Sequence, residues 1–440
     1  MALAGAAALD VTGRLGQLGP ARFTLYQLLA LVLAAFVVWL LVSGRERLPA
    51  TPLILPAAAF LGAAALSLAF AVERLPGLVQ LASLASSVVL ALIVTVLVRR
   101  SSDGVAVVLG TLGIAAVLGA LALLEWADVF TLQQSAFRTS TPISSVASAS
   151  SGLFALQRLV SEASGYGIRA RVTFGDPNIL ASFLMTALLL SIPVIAKVPM
   201  SRALRALTWV GVAIAVAGLA STYSRGGFGG LFIGLACVLV LVRASRMAKM
   251  VSVAVAVLSL AVIGALVFGP QWIARNVFEL TQDFSAMNRL YMAQGALNMW
   301  LDHPFGVGID NFPVVYPQYR HPMAEPGIVE SHAAYITVLA EMGFLGLLAF
   351  LWVLWRFFTR TALLPARRSP DIAVHALAVG AFAATASMCA QAFTYSLEGS
   401  KFLWFAIGIG FAAWHMYAEG EPAVTERQAS PRFAEGGGGS

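Results

Sequence analysis

The segment from Ser285 to Gly346 contains an arginine and a histidine ahead of a long apolar stretch. Arg289 lies early in this stretch, and His332 stands directly before the apolar residues 333–355. A helix dipole disfavours the cationic form of a histidine in the first helical turn, and a neutral imidazole can act as a general base. A guanidinium is a planar fork that suits phosphate oxygens. This pattern predicts chemistry on a phosphorylated lipid at one membrane surface.

Further arginines lie in two long polar loops, predicted at about 125–177 and 269–332, which contain no lysine. Taken singly, a loop arginine more often pairs with a carboxylate or a lipid headgroup. Taken as a set, these arginines favour phosphate capture. They are Arg138, Arg158, Arg169, Arg171, Arg275, Arg289 and Arg320.

The motif GDPN at 175–178 stands just before an apolar segment. Pro177 fits a first helical turn, and Asp176 is suited to cap the helix by accepting backbone N–H bonds. That structural role is favoured for these residues singly. An anion is also favoured at such a helix start, so Asn178 is a candidate substrate ligand.

The motif STYSRGGFGG at 221–230 separates two apolar segments. Gly226 and Gly227 are predicted to form a tight turn with close backbone approach. Arg225 would then stand at the membrane surface among free backbone N–H groups, as in an anion cradle. A snorkelling arginine that only anchors a span is an equal alternative.

The segment 287–301 is predicted to be an amphipathic helix on the outer interface, with Arg289 in its first turn behind Ser285 as cap. Its apolar face is expected to contain Met287, Leu290, Tyr291, Leu297, Trp300 and Leu301. Beyond it, Glu341 lies inside an apolar segment, so we expect it to face the bundle and to have a partner. Gly343 and Gly346 are expected to let a neighbouring helix pack closely.

The composition defines a polytopic membrane protein, because 59% of the residues are hydrophobic and only 11% are charged. We predict an all-α fold of about 11–12 transmembrane helices, with short helices in two long extracytoplasmic loops. Residues 1–22 are expected to form an interfacial helix or part of a twelfth crossing. The predicted spans are 23–43, 52–71, 78–98, 104–124, 178–196, 206–222, 226–242, 250–268, 333–355, 373–395 and 402–418.

Basic residues occupy alternating short loops, which predicts that those loops face the cytoplasm and the long loops face the opposite side. The chain is predicted to be one membrane domain over 1–418, with a cytoplasmic tail at 419–435. The terminal GGGGS at 436–440 resembles an artificial linker. Cys237 and Cys389 lie inside predicted spans, so neither indicates a disulfide or a metal site.

Several landmarks resemble the O-antigen ligase and Wzy-type polymerase superfamily of bacterial envelope glycosyltransferases over roughly residues 170–350. His332 and Ala333 are followed by nine residues and then by Gly343-Phe-Leu-Gly346. The family pattern has an amide or hydroxyl residue where this chain has Ala333, which weakens any supporting role at that position. NMWLDHPFGVGIDNF, STYSRGG and GDPN are similar to further family landmarks, in the family's order.

The resemblance implies a GT-C-like glycosyltransferase at the periplasmic face of the bacterial inner membrane. Its donor would be a glycan on undecaprenyl diphosphate, and its acceptor lipid A–core. His332 would activate the acceptor hydroxyl, while Arg225 and Arg289 would bind the diphosphate in an inverting displacement. The ligands of second rank are Arg169, Arg171, Arg320 and Asn178.

No DxD pair, Cys/His cluster or HExxH motif is present, so we expect neither a metal nor a cofactor. The expected partners are the two glycolipids and membrane lipids, with no nucleic acid. A Wzy-type polymerase, whose acceptor is another lipid-linked repeat unit, is the close alternative. A flippase or transporter for an anionic lipid is the rival from another class, and it predicts ionisable residues spread along several spans.

Overall fold

The computed structural model describes residues 14–18, 21–24, 32, 39, 43, 52–126, 170, 172, 174, 176–242, 284–324 and 333–429. The predicted all-α membrane architecture is confirmed. In the described part of the chain, six helices are long and apolar enough to cross a membrane, and two further apolar helices are shorter. The predicted spans at 250–268 and, almost entirely, at 23–43 lie outside the described residues. Each of the other predicted spans overlaps a helix.

The helices in chain order are α1 (Ile54–Ser67), α2 (Arg74–Leu97), α3 (Ser101–Trp126), α4 (Pro177–Lys197), α5 (Arg202–Ser221), α6 (Arg225–Leu241), α7 (Phe284–Asp302), α8 (Phe312–Val315), α9 (Ala334–Arg356), α10 (Leu363–Arg368), α11 (Ile372–Gln391) and α12 (Lys401–Ala429). A 3₁₀ turn, Leu68–Phe70, extends α1, and another, Tyr316–Gln318, follows α8. A π-helical turn, Phe357–Ala362, joins α9 to α10. Helix α12 continues through the first part of the predicted tail.

The interpretation of residues 1–22 as helical is wrong over the described part of that segment. Strands β1 (Arg14–Leu18) and β2 (Ala21–Thr24) form an antiparallel hairpin in which Leu18 pairs with Ala21. Gly19 and Pro20 separate the strands in the sequence. A Gly-Pro pair favours a turn, and proline interrupts a helix, so the mild apolarity of this segment does not produce one.

Helices α4 and α11 form the centre of the bundle. Every residue of α4 from Leu180 to Ser191 is buried, because this helix is apolar on all its faces. Helix α11 packs against α4, α6 and α12. At Gly380 the backbones of α11 and α4 approach so closely that a Cβ there would lie 2.7 Å from the Leu190 carbonyl oxygen.

The polar residues collect at two ends of the bundle. At one end, called here the site end, the Glu73 N–H donates to Asn311 Oδ1 at 2.7 Å, and the Tyr395 hydroxyl donates to Asp176 at 3.2 Å. At the other, called the basic end, Arg99 Nη1 lies 3.0 Å from His415 Nε2. The alternation of loops predicted from the basic residues therefore fits the helices that the structure describes.

Helix α9 is broken at Gly343, whose φ of 67° and ψ of −169° are not helical. The loop 303–308 fills the break. Val307 and Gly308 donate their N–H groups to the carbonyls of Ala340 and Glu341 at 3.0 and 2.9 Å. A break inside a membrane span exposes backbone polar groups that no water can satisfy, and this loop pairs them.

The prediction that Gly343 and Gly346 serve close packing of a neighbouring helix is wrong. A Cβ on Gly343 would lie 2.5 Å from the Pro304 carbonyl oxygen, so the close neighbour is the inserted loop. A Cβ on Gly346 would instead meet Met342 of the same helix. Gly343 is required for its backbone conformation, which is accessible almost only to glycine.

We expect Gly343→Ala to lower the free energy of unfolding by at least about 2 kcal/mol, because it combines backbone strain with a clash against the inserted loop. Thermal unfolding of the purified protein in detergent measures the effect. Gly229→Ala is the matched control, since nothing lies within 4 Å of the Cβ it would add in α6. Equal stability of the two variants would contradict the account.

Candidate functional site

Helix α4 begins at the GDPN motif in the predicted manner. Asp176 Oδ1 accepts the Asn178 N–H at 2.6 Å, and Pro177 occupies the first helical position. Asp176 Oδ2 also accepts the Tyr395 hydroxyl at 3.2 Å. The cap is therefore tied to the segment that follows α11.

Helix α6 begins at the STYSRGG motif, with Arg225 as its first residue. The Ser224 Oγ accepts the Gly227 N–H at 3.2 Å and donates to Asn178 Oδ1 at 2.8 Å. The starts of α4 and α6 are thus joined by one hydroxyl. Asn178 therefore lies beside the residue that directly precedes Arg225.

The tight turn predicted at Gly226 and Gly227 is wrong, because both lie inside the first turn of α6. The chain turns instead at Tyr223, whose φ is 51°. The glycines permit close packing. A Cβ on Gly226 would lie 3.1 Å from the Thr394 hydroxyl, and one on Gly227 would lie 2.8 Å from the Ala181 methyl group.

A short segment between α3 and α4 is fixed beside the same turn. The Ala170 N–H donates to the Ser221 carbonyl at 3.0 Å, and the Val172 N–H donates to Glu125 Oε2 at 2.6 Å. Glu125 is fully buried. Arg169 and Arg171 themselves lie outside the described residues, but this segment approaches the turn that precedes Arg225.

The start of α9 lies against the residues that follow α11. The Ala334 N–H donates to the Ala392 carbonyl at 2.8 Å, and the Thr337 and Ser396 hydroxyls lie 3.4 Å apart. His332 lies outside the described residues, and Ala333 occupies the cap position of α9. The helix therefore begins two residues after His332 and one residue later than the predicted span.

The segment 391–398, which begins at the last residue of α11, holds these parts together, and sequence reasoning missed it. Tyr395 reaches Asp176 at α4, Thr394 lies beside Gly226 at α6, and Ala392 and Ser396 contact the start of α9. The available signal was the polar run TYSLEGS after an apolar span. That run matches no recognisable motif, so the sequence predicts only a short turn there.

Arg289 lies on α7, which begins at Phe284, so this arginine is the sixth residue and not in the first turn. The helix dipole therefore contributes little to anion binding at Arg289, because its effect fades within one turn. The side chain of Arg289 is half-buried. Helix α7 packs against α9, with Met292 and Met299 in one cluster with Ala340.

The leucines predicted for the apolar face of α7 point away from the protein, which is compatible with the predicted position on the membrane interface. Leu290, Leu297 and Leu301 are exposed, and the buried face contains Asn288, Met292, Ala296 and Met299. A Cβ on Gly295 would lie 2.7 Å from the Tyr316 ring, so small and flexible residues are needed on this side. The helix buries the face that fits the rings of Phe312 and Tyr316, and its leucines point outward.

Arg320 lies near Tyr316. Burial raises the pKa of the Tyr316 hydroxyl, and the positive charge of Arg320 opposes this rise. Arg320 is exposed, whereas Tyr316 is fully buried. At the site end, Arg320 therefore lies near the residues of α7 and α8 that surround Tyr316.

Glu341 has a hydrogen-bond partner, as predicted from its position deep in a membrane span. It is 7% exposed, and its Oε1 accepts the Phe312 N–H at 3.1 Å. This bond ties the start of α8, just beyond the inserted loop, to α9. Among the described residues, no group of three or more His, Cys, Asp or Glu side chains is placed to hold a metal ion.

The fold and the site define a class of polytopic α-helical membrane protein whose polar motifs meet at one end of the bundle. Residues 210–351, from α5 to the second half of α9, match the family model described as O-antigen ligase. This match confirms the predicted resemblance to that superfamily and supports a ligase-like or polymerase-like activity in general. No curated protein matches the chain.

We expect Ser224→Ala to cost about 2 kcal/mol of stability, from the loss of a helix cap and of the bond to Asn178. Ser201→Ala is the matched control, because Ser201 caps α5 through the Leu204 N–H at the basic end. It should cost about 1 kcal/mol, the value of a cap alone. Thermal unfolding measures both, and equal losses would show that the bond between α4 and α6 contributes nothing.

Proposed function

We propose that this protein is an O-antigen ligase. It transfers a glycan from undecaprenyl diphosphate to lipid A–core at the periplasmic face of the bacterial inner membrane. The single observation that carries the proposal is the convergence on segment 391–398. The starts of α4, α6 and α9 all contact it, and these helices begin at or directly after the GDPN, STYSRGG and His332 motifs.

His332 is the general base of the proposed reaction. It removes the proton of an acceptor hydroxyl, whose oxygen forms a bond to the anomeric carbon of the donor sugar. The bond from that carbon to the phosphate oxygen breaks, and its electron pair leaves with the undecaprenyl diphosphate. Attack opposite the leaving group inverts the anomeric configuration.

Arg225 and Arg289 stabilise the charge that develops on the diphosphate. A preorganised guanidinium acts on this charge without reorganisation during the reaction. Arg225 stands at the first position of α6, where backbone N–H groups also favour an anion. Arg169, Arg171, Arg320 and Asn178 contribute further contacts to the donor. The mechanism uses no protein-bound metal, and the architecture is GT-C-like.

The periplasmic assignment rests on the basic loops. Lys197, Arg202 and Arg367 flank helices at the basic end, which by the positive-inside rule faces the cytoplasm. The site end then faces the periplasm. An undecaprenyl-linked donor suits that compartment because it needs no nucleotide.

Purified protein should move glycan from undecaprenyl diphosphate to lipid A–core with EDTA present. We expect His332→Ala to lower the transfer rate at least about 100-fold, as for loss of a general base. Arg289→Ala and Arg225→Ala should lower it about 100- to 1,000-fold, as for loss of a preorganised charge donor. Arg202→Ala, at an exposed position of the basic end, is the control and should keep the wild-type rate.

The other readings give different outcomes in the same assay. Growth of the glycan on the lipid carrier, with none on lipid A–core, would identify a Wzy-type polymerase. No transfer to either acceptor by folded protein that still binds the donor would favour a flippase or transporter. Full activity of His332→Ala would remove the base from the mechanism.

A further inference from the structure

The end of α7 carries a cluster of polar side chains that the proposed reaction does not use. The Tyr319 hydroxyl donates to Asp302 Oδ2 at 2.9 Å and lies 3.4 Å from His303 Nε2. The rings of His303 and Tyr319 meet edge to face, with their centroids 6.3 Å apart. Asp302 is exposed, and a carboxylate can accept about four hydrogen bonds. The bond from Tyr319 therefore leaves Asp302 able to accept hydroxyl groups of a ligand.

A second cluster lies nearer the start of α7. The rings of Tyr291 and His321 stack at a centroid distance of 4.3 Å, with 4° between their planes. His321 Nδ1 accepts the Met323 N–H at 3.1 Å. The proton of the neutral imidazole is therefore on Nε2, which makes this nitrogen a hydrogen-bond donor. Both rings are half-buried, so each keeps surface that a ligand can reach.

The two clusters lie on the same side of α7. Tyr291 and Asp302 are eleven residues apart, which is about three full turns, so they share one face of the helix. At 1.5 Å per residue, they are about 16 Å apart along its axis. The chain after α8 bridges the clusters, because Tyr319 reaches one of them and His321 the other. The α7 row is the name used here for Tyr291, Asp302, His303, Tyr319 and His321.

The chemistry of the α7 row fits a chain of sugars. A sugar ring has an apolar face of C–H groups, which packs on an aromatic ring, and a rim of hydroxyls, which donate and accept hydrogen bonds. The row offers rings in both clusters, an acceptor at Asp302 and a donor at His321. The carboxylate repels a phosphate or another anion. Two clusters about 16 Å apart suit a ligand of several linked sugars.

The position of two arginines gives the row a direction. Arg320 directly precedes His321, and Arg289 lies two residues before Tyr291. Both arginines therefore lie toward the Tyr291 end of the row. In the proposed mechanism they bind the donor diphosphate, to which the first sugar of the glycan is joined. A glycan that begins at this end and follows the row reaches Asp302 with its more distant sugars.

We propose that the α7 row binds the glycan of the lipid-linked donor. The sugars nearest the diphosphate contact Tyr291 and His321, and sugars further along the chain contact the cluster at Asp302. This inference rests on the proposed function. A donor with a single sugar reaches the first cluster alone, whereas a donor with a long glycan reaches both. The row therefore makes the protein bind long donors more tightly than short ones.

The test measures the Kd of two donors without an acceptor, for the full-length protein in lipid nanodiscs. Both donors contain undecaprenyl diphosphate, and one has a single sugar while the other has several repeat units. We expect Asp302→Ala to raise the Kd of the long donor about tenfold, because a hydrogen bond to a charged group is lost, and to leave that of the short donor unchanged. His321→Phe keeps the stacked ring and removes the Nε2 donor, so it should raise both values.

Glu73→Ala is the matched control. Glu73 is an exposed carboxylate at the site end, outside the row, and its side chain does not cap α2. This variant should bind both donors as wild type does. If Asp302→Ala does not fold, Tyr319→Phe replaces it, because it keeps the ring and removes the hydroxyl that orients Asp302.

Saturation-transfer difference NMR gives a readout that needs neither lipid nor diphosphate. Its probe is the free glycan, cut from the long donor by mild acid. Wild type should transfer saturation to this glycan, and Asp302→Ala should transfer less. Equal transfer by the two proteins would overturn the inference.

The binding data separate this inference from the proposed function. A wild-type Kd of the long donor in Asp302→Ala, or in Tyr319→Phe where that variant replaces it, would overturn the inference alone. An equal loss with the short and the long donor would do the same. A weaker Kd for lipid A–core, with both donors unchanged, would assign the row to the acceptor and also overturn it. A wild-type protein that shows the expected binding but transfers no glycan would overturn the proposed function alone.

Discussion

The insertion of the loop 303–308 into the break of α9 is the constraint on which the site end depends. Without it, the carbonyls of Ala340 and Glu341 would be unpaired inside a membrane span. The same loop continues to Asn311, whose side chain accepts the Glu73 N–H and donates to the Glu73 carbonyl. One loop therefore connects α9 with the turn between α1 and α2, and it fixes where α7 ends and α8 begins.

Hydrophobicity made the spans predictable from the sequence, since a bilayer crossing has a minimum length that composition reveals. The cap at Asp176 was predictable because a cap depends only on residues within a turn. The sequence predicted that Glu341 must have a hydrogen-bond partner, but not which residue it is. Its donor, the Phe312 N–H, lies on another element.

The errors share a physical origin in tertiary contacts. Gly343 was assigned to helix packing, but its close neighbour is the inserted loop. Gly226 was assigned to a tight turn, but it lies in a helix and its close neighbours are at the end of α11. The face of α7 that packs against Tyr316 contains methionines, and no local pattern predicted this contact. The role of segment 391–398 depends on four helix ends meeting, which no local pattern records. His332, Arg169 and Arg171 stay predictions.

The outward leucines of α7 have a consequence for how a substrate arrives. Leu290, Leu297 and Leu301 present hydrocarbon to the surroundings on the same helix that holds Arg289. A substrate anchored in a bilayer diffuses in two dimensions and approaches a protein from the side. Its search is therefore confined to the perimeter of the bundle. The encounter rate is then governed by the density of lipid-linked substrate in the membrane plane rather than by its bulk concentration.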